Sequence, residues 1–182
     1  MGIDLYEPFT NPRTRETFRC ISFSEEAYRM EWIVQPRGYV PFEHVHANQE
    51  EIFHIQHGEM RAVINGVEQL ASAGQTVSVR AGTPHIAGNN KPEPLVCTVE
   101  YRPGLDSYRV FQCFAGLTLS GDMDRNGTVN PLKMMYFLKK MRARTLARPA
   151  YLPDPVFRLL MQGCLAIGSV AGWEKLYRQF TN

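Results

Sequence analysis

A chain of 182 residues has room for one full domain and a modest appendage, and 44% hydrophobic against 21% charged residues exclude disorder, a collagen-like repeat and a disulfide scaffold. A formal charge of +2 predicts no strong attraction of the whole molecule to nucleic acid. That charge is uneven: residues 1–104 carry 9 basic and 13 acidic groups, residues 105–182 carry 11 and 5, and the sign changes just after the breaker Arg102-Pro103-Gly104.

A unit boundary is placed there, with 1–104 read as a β-rich unit and 105–182 as a final strand plus a helical extension, packed on the first unit or on a second subunit. From Phe18 to Arg102 the chain reads as short strands, around 29–34, 51–56, 61–64, 77–79 and 96–101, separated by Gly and Pro turns. That rhythm predicts an antiparallel sandwich or closed barrel, and Asn65-Gly66 between apolar runs predicts a two-residue hairpin. Tyr108 to Phe114 reads as one more strand. Pro131 then starts a helix to about Arg144, and Pro155 a second to about Phe180. The weakly polar run Leu159 to Trp173 has 15 residues, short of the roughly 20 that a spanning helix needs. Cysteines at 20, 97, 113 and 164 show no Cys-x-x-Cys spacing, and no basic-then-apolar leader opens the chain, so a reducing cytoplasm is expected.

The chemistry concentrates in His44-Val45-His46, Glu51 and His85. Two histidines one residue apart on a strand share a face, because side chains alternate with period two, and both can reach one ion. Three imidazoles and a carboxylate suit a borderline divalent metal such as Fe, Mn, Ni, Cu or Zn. An octahedral ion held by four protein ligands keeps two positions open for water, oxygen or a chelating substrate.

Around these residues the spacing is specific: Gly38, five residues, His44-x-His46, four residues, Glu51, six residues, Gly58; and, after 15 intervening residues, Gly74, five residues, Arg80, Gly82, His85 and Asn89. This pair of motifs resembles the two signatures of the cupin superfamily, with one departure, Arg80 standing where the second signature has proline. The resemblance covers roughly residues 30–102. It implies a cupin-like antiparallel β-barrel (jelly roll), followed here by C-terminal α-helices, and His44, His46, Glu51 and His85 as metal ligands. Glu50 fits the signature's shorter spacing to the histidines, but only Glu51 also gives six residues to Gly58. The resemblance also implies a homodimer, and it assigns nothing to the tail.

His54 and His57 are out of phase or in a turn and are read as non-ligands. Asn89 either bonds a ligand group or closes a turn; Tyr101 and Arg102 either bind a carboxylate or face solvent. Met30, Trp32, Phe42, Phe53 and Ile55 either line an apolar substrate cavity or form ordinary core. No general base stands out. Asp122-Met-Asp124-Arg-Asn126-Gly127 imitates half of a calcium loop but has Lys133 where a bidentate Glu belongs, and is read as a polar turn capping the next helix. That helix mixes Lys133, Lys139, Lys140, Arg142 and Arg144 with apolar residues; burial against the fold or a second subunit is favoured over contact with a membrane surface.

The expected function is that of a metal-dependent small-molecule enzyme, an oxygenase-type (dioxygenase-like) oxidoreductase acting on a chelating enol, acid or diketone. The alternatives are a non-redox metal-assisted isomerase or cyclase, and a non-catalytic ligand-binding module. No nucleic-acid partner is expected, since no recognition helix or stacking-aromatic pattern accompanies the basic tail.

Overall fold

The computed structural model describes residues 2–182, and Met1 lies outside them. The chain runs β1 (Phe9–Asn11), β2 (Glu16–Phe23), β3 (Tyr28–Val34), β4 (His44–His46), β5 (Glu50–His57), β6 (Glu59–Ile64), β7 (Val67–Ser72), β8 (Thr76–Val79), β9 (His85–Gly88), β10 (Leu95–Arg102), α1 (Ser107–Leu119), α2 (Pro131–Lys140), β11 (Ala147–Pro149), α3 (Asp154–Val170) and α4 (Trp173–Thr181). The strands pair antiparallel into a six-stranded sheet, β1-β2-β3-β10-β5-β8, and a five-stranded sheet, β11-β4-β9-β6-β7. Among the described residues no strand belongs to both sheets, so the jelly roll is two facing layers and not a barrel closed by one continuous ladder.

Alternation builds the space between the layers. Along β3, Tyr28, Met30, Trp32 and Val34 are buried while the residues between them are half-buried, the period-two pattern of a strand with one face on the core. Phe53 and Ile55 of β5, Met60 and Ala62 of β6, and Cys97 and Val99 of β10 complete this core. The Asn65-Gly66 hairpin forms as its sequence predicts, with both residues at positive φ (50° and 78°) to match the twist of the strands it joins. The chain crosses from one layer to the other at Gly58, where φ is +77° and a Cβ would stand 2.5 Å from the Pro94 carbonyl oxygen.

Three features of the second half depart from the sequence expectation. The strand expected at Tyr108–Phe114 is part of α1: Phe111 and Phe114 pack on the inter-sheet core while Cys113 and Leu117 enter a second core, a helical spacing that serves two layers at once. The helix expected from Pro155 to about Phe180 is broken at Gly172, whose left-handed φ of 73° ends α3, and α4 leaves at 98° to it. The helix from Pro131 stops at Lys140, short of Arg144. The tail then adds an unforeseen strand, β11, against β4, with Ala147 opposite His46 and Pro149 opposite His44.

The second core is made by Leu117, Tyr136, Phe137, Leu138, Phe157, Met161 and Phe180. Asn130 caps α2 through its side-chain oxygen, which accepts from the Leu132 and Lys133 amides; Lys133 pairs with Asp122, and the half calcium loop is a capping turn. Lys140 pairs with Glu174 at 2.8 Å and Arg144 with Glu25 at 2.6 Å, so cations of this basic stretch meet acidic neighbours in the chain itself. No single described helix is long and apolar enough to cross a membrane. The four cysteines are buried free thiols.

Gly116 shows how tightly α1 seats α4. A Cβ there would lie 2.3 Å from Phe180 Cγ, so Gly116→Ala must displace that ring. We expect a loss of about 1–3 kcal/mol in chemical denaturation, the usual cost of overpacking.

Candidate metal centre

His44 and His46 stand on β4, His85 on β9 and Glu51 on β5, so three imidazoles from the five-stranded sheet meet one carboxylate from the other. The register brings them together: His44 lies opposite His85, and Glu51, on the inward parity of Phe53 and Ile55, lies opposite Tyr101. One donor atom from each of the four residues falls within 4.8 Å of the others. All three Nε2 atoms lie near one oxygen, Glu51 Oε2, at 3.9 Å (His44), 3.2 Å (His46) and 2.6 Å (His85).

The outer nitrogens explain the aim of two rings. His44 Nδ1 lies 3.3 Å from the Phe42 carbonyl oxygen and His85 Nδ1 2.9 Å from that of Thr83, an arrangement that holds the Nδ1–H tautomer and turns Nε2 inward. Tyr101 donates its hydroxyl to Glu51 Oε1 at 2.8 Å and holds the carboxylate from behind. The Arg80 turn, where the resemblance leads to an expectation of proline, closes through Thr83 N–H to the Arg80 carbonyl, and Gly82 N–H donates to the His46 carbonyl at 2.8 Å. The substitution leaves the approach to His85 intact.

The electrostatics follow from burial and mutual charge. Burial presses the His44 imidazole down to about 3, reinforced by His46 and His85, so it is a neutral donor at physiological pH. Burial works to raise Glu51, yet the charges of His46 and His85 and the His85 hydrogen bond hold its carboxyl well below the usual range. Burial works to lower His85, and the Glu51 hydrogen bond and charge lift it above its ordinary value. Tyr101 is pushed well above the usual phenol range by burial and by Glu51, so it stays a donor.

His46 provides the test of whether a metal fits. Both its ring nitrogens are buried without a hydrogen-bond partner, and Nε2, although 3.2 Å from Glu51, is out of line for a hydrogen bond. A buried imidazole nitrogen left unpaired beside a carboxylate is costly alone and would be satisfied by a cation that both could bind. The donor set fits a divalent transition metal.

The four residues border a cavity of about 240 Å³ whose remaining wall is largely apolar, including Met30, Trp32, Phe42, Phe53 and Val99. Among the described residues no lysine or arginine lines it. The tail closes it with Phe111, Phe114, Val129, Met134, Leu138 and Ala147, residues to which the sequence reading gave no part in the site.

Other candidates fall elsewhere. His54 bonds Thr76 and His57 is exposed, both outside the cluster, and Glu50 accepts from Ser78. Asn89 is fully buried and closes a turn, donating to the Val34 and Glu93 carbonyls and accepting from the Lys91 amide. Arg102 faces solvent and pairs with Glu100.

With this geometry in place, comparison with known proteins is direct: the cupin domain family matches residues 30–101. Those residues are a cupin domain. Similar solved structures include KdgF from Halomonas sp. (15% identity, 59% of this chain and 96% of that one, TM-score 0.50). An uncharacterized double-stranded β-helix protein from Klebsiella pneumoniae (22%, 57% and 84%, 0.48) and a cupin-superfamily sugar phosphate isomerase from Silicibacter pomeroyi (17%, 50% and 60%, 0.46) are also similar. At these identities the likeness shows no more than fold, and the chemistry has to be argued from this chain's own residues. No functionally curated protein matches the chain.

One of those residues went unnoticed in the sequence. Glu16, on β2, is buried in the cavity wall and accepts the Trp32 indole N–H at 3.0 Å. Burial raises its carboxyl from 4.5 to about 7, against the opposing hydrogen bond of Trp32. The unfolded carboxyl loses its proton near 4.5 while the folded one keeps it to about 7, so the folded state loses relative stability as pH rises between those values. Each unit of that gap is worth about 1.4 kcal/mol. Glu16→Gln should therefore gain on the wild type by roughly 3 kcal/mol between pH 4 and pH 8 in urea denaturation, and parallel pH profiles would contradict this assignment.

Proposed function

We propose that His44, His46, Glu51 and His85 hold one divalent transition metal, and that the protein is an oxygenase-type oxidoreductase acting on a small apolar enol, acid or diketone. The observation that carries the reading is the convergence of three imidazoles and a carboxylate at the edge of a largely apolar cavity. The metal would supply Lewis acidity and redox capacity at positions that the protein ligands leave open.

The residues do the rest. His44 and His85 are held by backbone carbonyls and Glu51 by Tyr101, so the donor set is arranged before any ligand arrives. The apolar wall excludes water and favours a ligand whose body is hydrocarbon or aromatic. Among the described residues no lysine or arginine stands in the wall to pair with a phosphate.

The test is oxygen uptake by protein loaded with Fe, Mn, Ni or Cu, screened against enols, carboxylic acids and 1,3-diketones. Consumption of oxygen in step with substrate is expected. Equal turnover by zinc-loaded protein without oxygen would replace the reading by a non-redox isomerase or cyclase, and tight binding without turnover by a ligand-binding module.

A further inference from the structure

The cavity has polar groups on both of its layers. The histidines come from the five-stranded sheet, and facing them, on β2 and β3 of the other sheet, stand the Glu16 carboxyl and the Trp32 indole. A carboxyl in an apolar wall costs several kcal/mol unless something bonds to it. Trp32 Nε1 takes one of its oxygens and leaves the other for a ligand. The Thr14 hydroxyl near it is wholly buried without a hydrogen-bond partner and so supplies no second bond to the carboxyl.

We propose that Glu16 is a specificity residue that bonds a separate hydroxyl group on the ligand, so that the substrate is a small apolar molecule with chelating oxygens at one place and a hydroxyl at another. The inference rests on the metal reading above, which supplies the other anchor. A hydroxyl fits better than an ammonium. Burial keeps this carboxyl protonated to near neutral pH, and no second anion faces it on the neighbouring strand to help hold a cation. A site built to bond a hydroxyl also rejects the analogue that lacks one, because its own polar group is then left unpaired.

The experiment uses the full chain loaded with metal and two probes, 1-phenylbutane-1,3-dione and its 4-hydroxyphenyl analogue, with affinities from titration calorimetry. The hydroxylated probe is expected to bind wild type about tenfold tighter, equivalent to ~1.4 kcal/mol. In Glu16→Leu that advantage disappears, because the hydroxylated probe loses its partner while the plain probe, no longer set against an unpaired carboxyl, binds at least as tightly as to wild type; Glu16→Gln, which retains an acceptor for Trp32 and a polar group for the ligand, restores part of the advantage. Circular dichroism establishes that each variant is folded, and the plain probe serves as an internal control for site integrity. No advantage in wild type, or one that persists in Glu16→Leu, would overturn the inference while metal-dependent binding of the plain probe leaves the metal reading standing. If neither probe binds in a metal-dependent way, both readings fall together.

Discussion

Glu51→Ala should be the most damaging single substitution in the cupin layers, with a loss of roughly 3 kcal/mol or more in chemical denaturation of metal-free protein. Its carboxylate is the common neighbour of three imidazoles, two buried and one half-buried, and accepts from the Tyr101 hydroxyl. Removing it strands the raised His85 and leaves a buried phenol without an acceptor, and uncompensated buried polar groups account for the large end of mutational effects. The same variant should lose its metal. Glu51→Gln, which keeps the shape and one acceptor oxygen, should recover part of the stability and little of the metal content. A variant as stable as wild type would show that the cluster is not an electrostatic unit.

Phe137→Ala should cost about 3–5 kcal/mol, the usual range for a buried phenyl ring, and lower the melting temperature by roughly 10 °C. Phe137 is wholly buried, with ring centroids at 5.8 Å from Tyr136 and 5.9 Å from both Tyr177 and Phe180. It therefore ties α2 to α4. Because Met134 and Leu138 of α2 line the cavity, the variant should also bind an apolar probe more weakly, although Phe137 is no part of the cavity wall. Calorimetric melting and titration of one hydrophobic probe check both halves, and unchanged affinity beside a large stability loss would separate the helical core from the site.

What the sequence displayed, and what it hid, follows from which interactions are local. His44 and His46 could be placed on one face because period-two alternation needs only a strand, and six residues to Gly58 singled out Glu51 over Glu50. Tyr101 carried the same inward parity as Cys97 and Val99, but its bond to Glu51 depends on the register between β5 and β10, which no local pattern contains. Glu16 lies upstream of the strand rhythm that begins at Phe18, and its alternation with Phe18 and Cys20 is the signal the sequence carries for it. Phe111 and Phe114 resembled strand residues because aromatic side chains favour strands, and the second core that makes them helical lies in residues far along the chain. For the same reason the contribution of β11 and α2 to the cavity was invisible: it arises when the tail folds back, and spacing along the chain cannot show it.

The most direct measurement of the central claim is metal content by elemental analysis of the untagged full chain, purified without added metal, beside a His44→Ala/His85→Ala double variant, both then offered Fe, Mn, Ni, Cu and Zn. The account predicts about one transition-metal ion per wild-type chain and none in a folded double variant. A wild type that neither carries nor takes up any of these metals, or a double variant that binds them equally well, would contradict it.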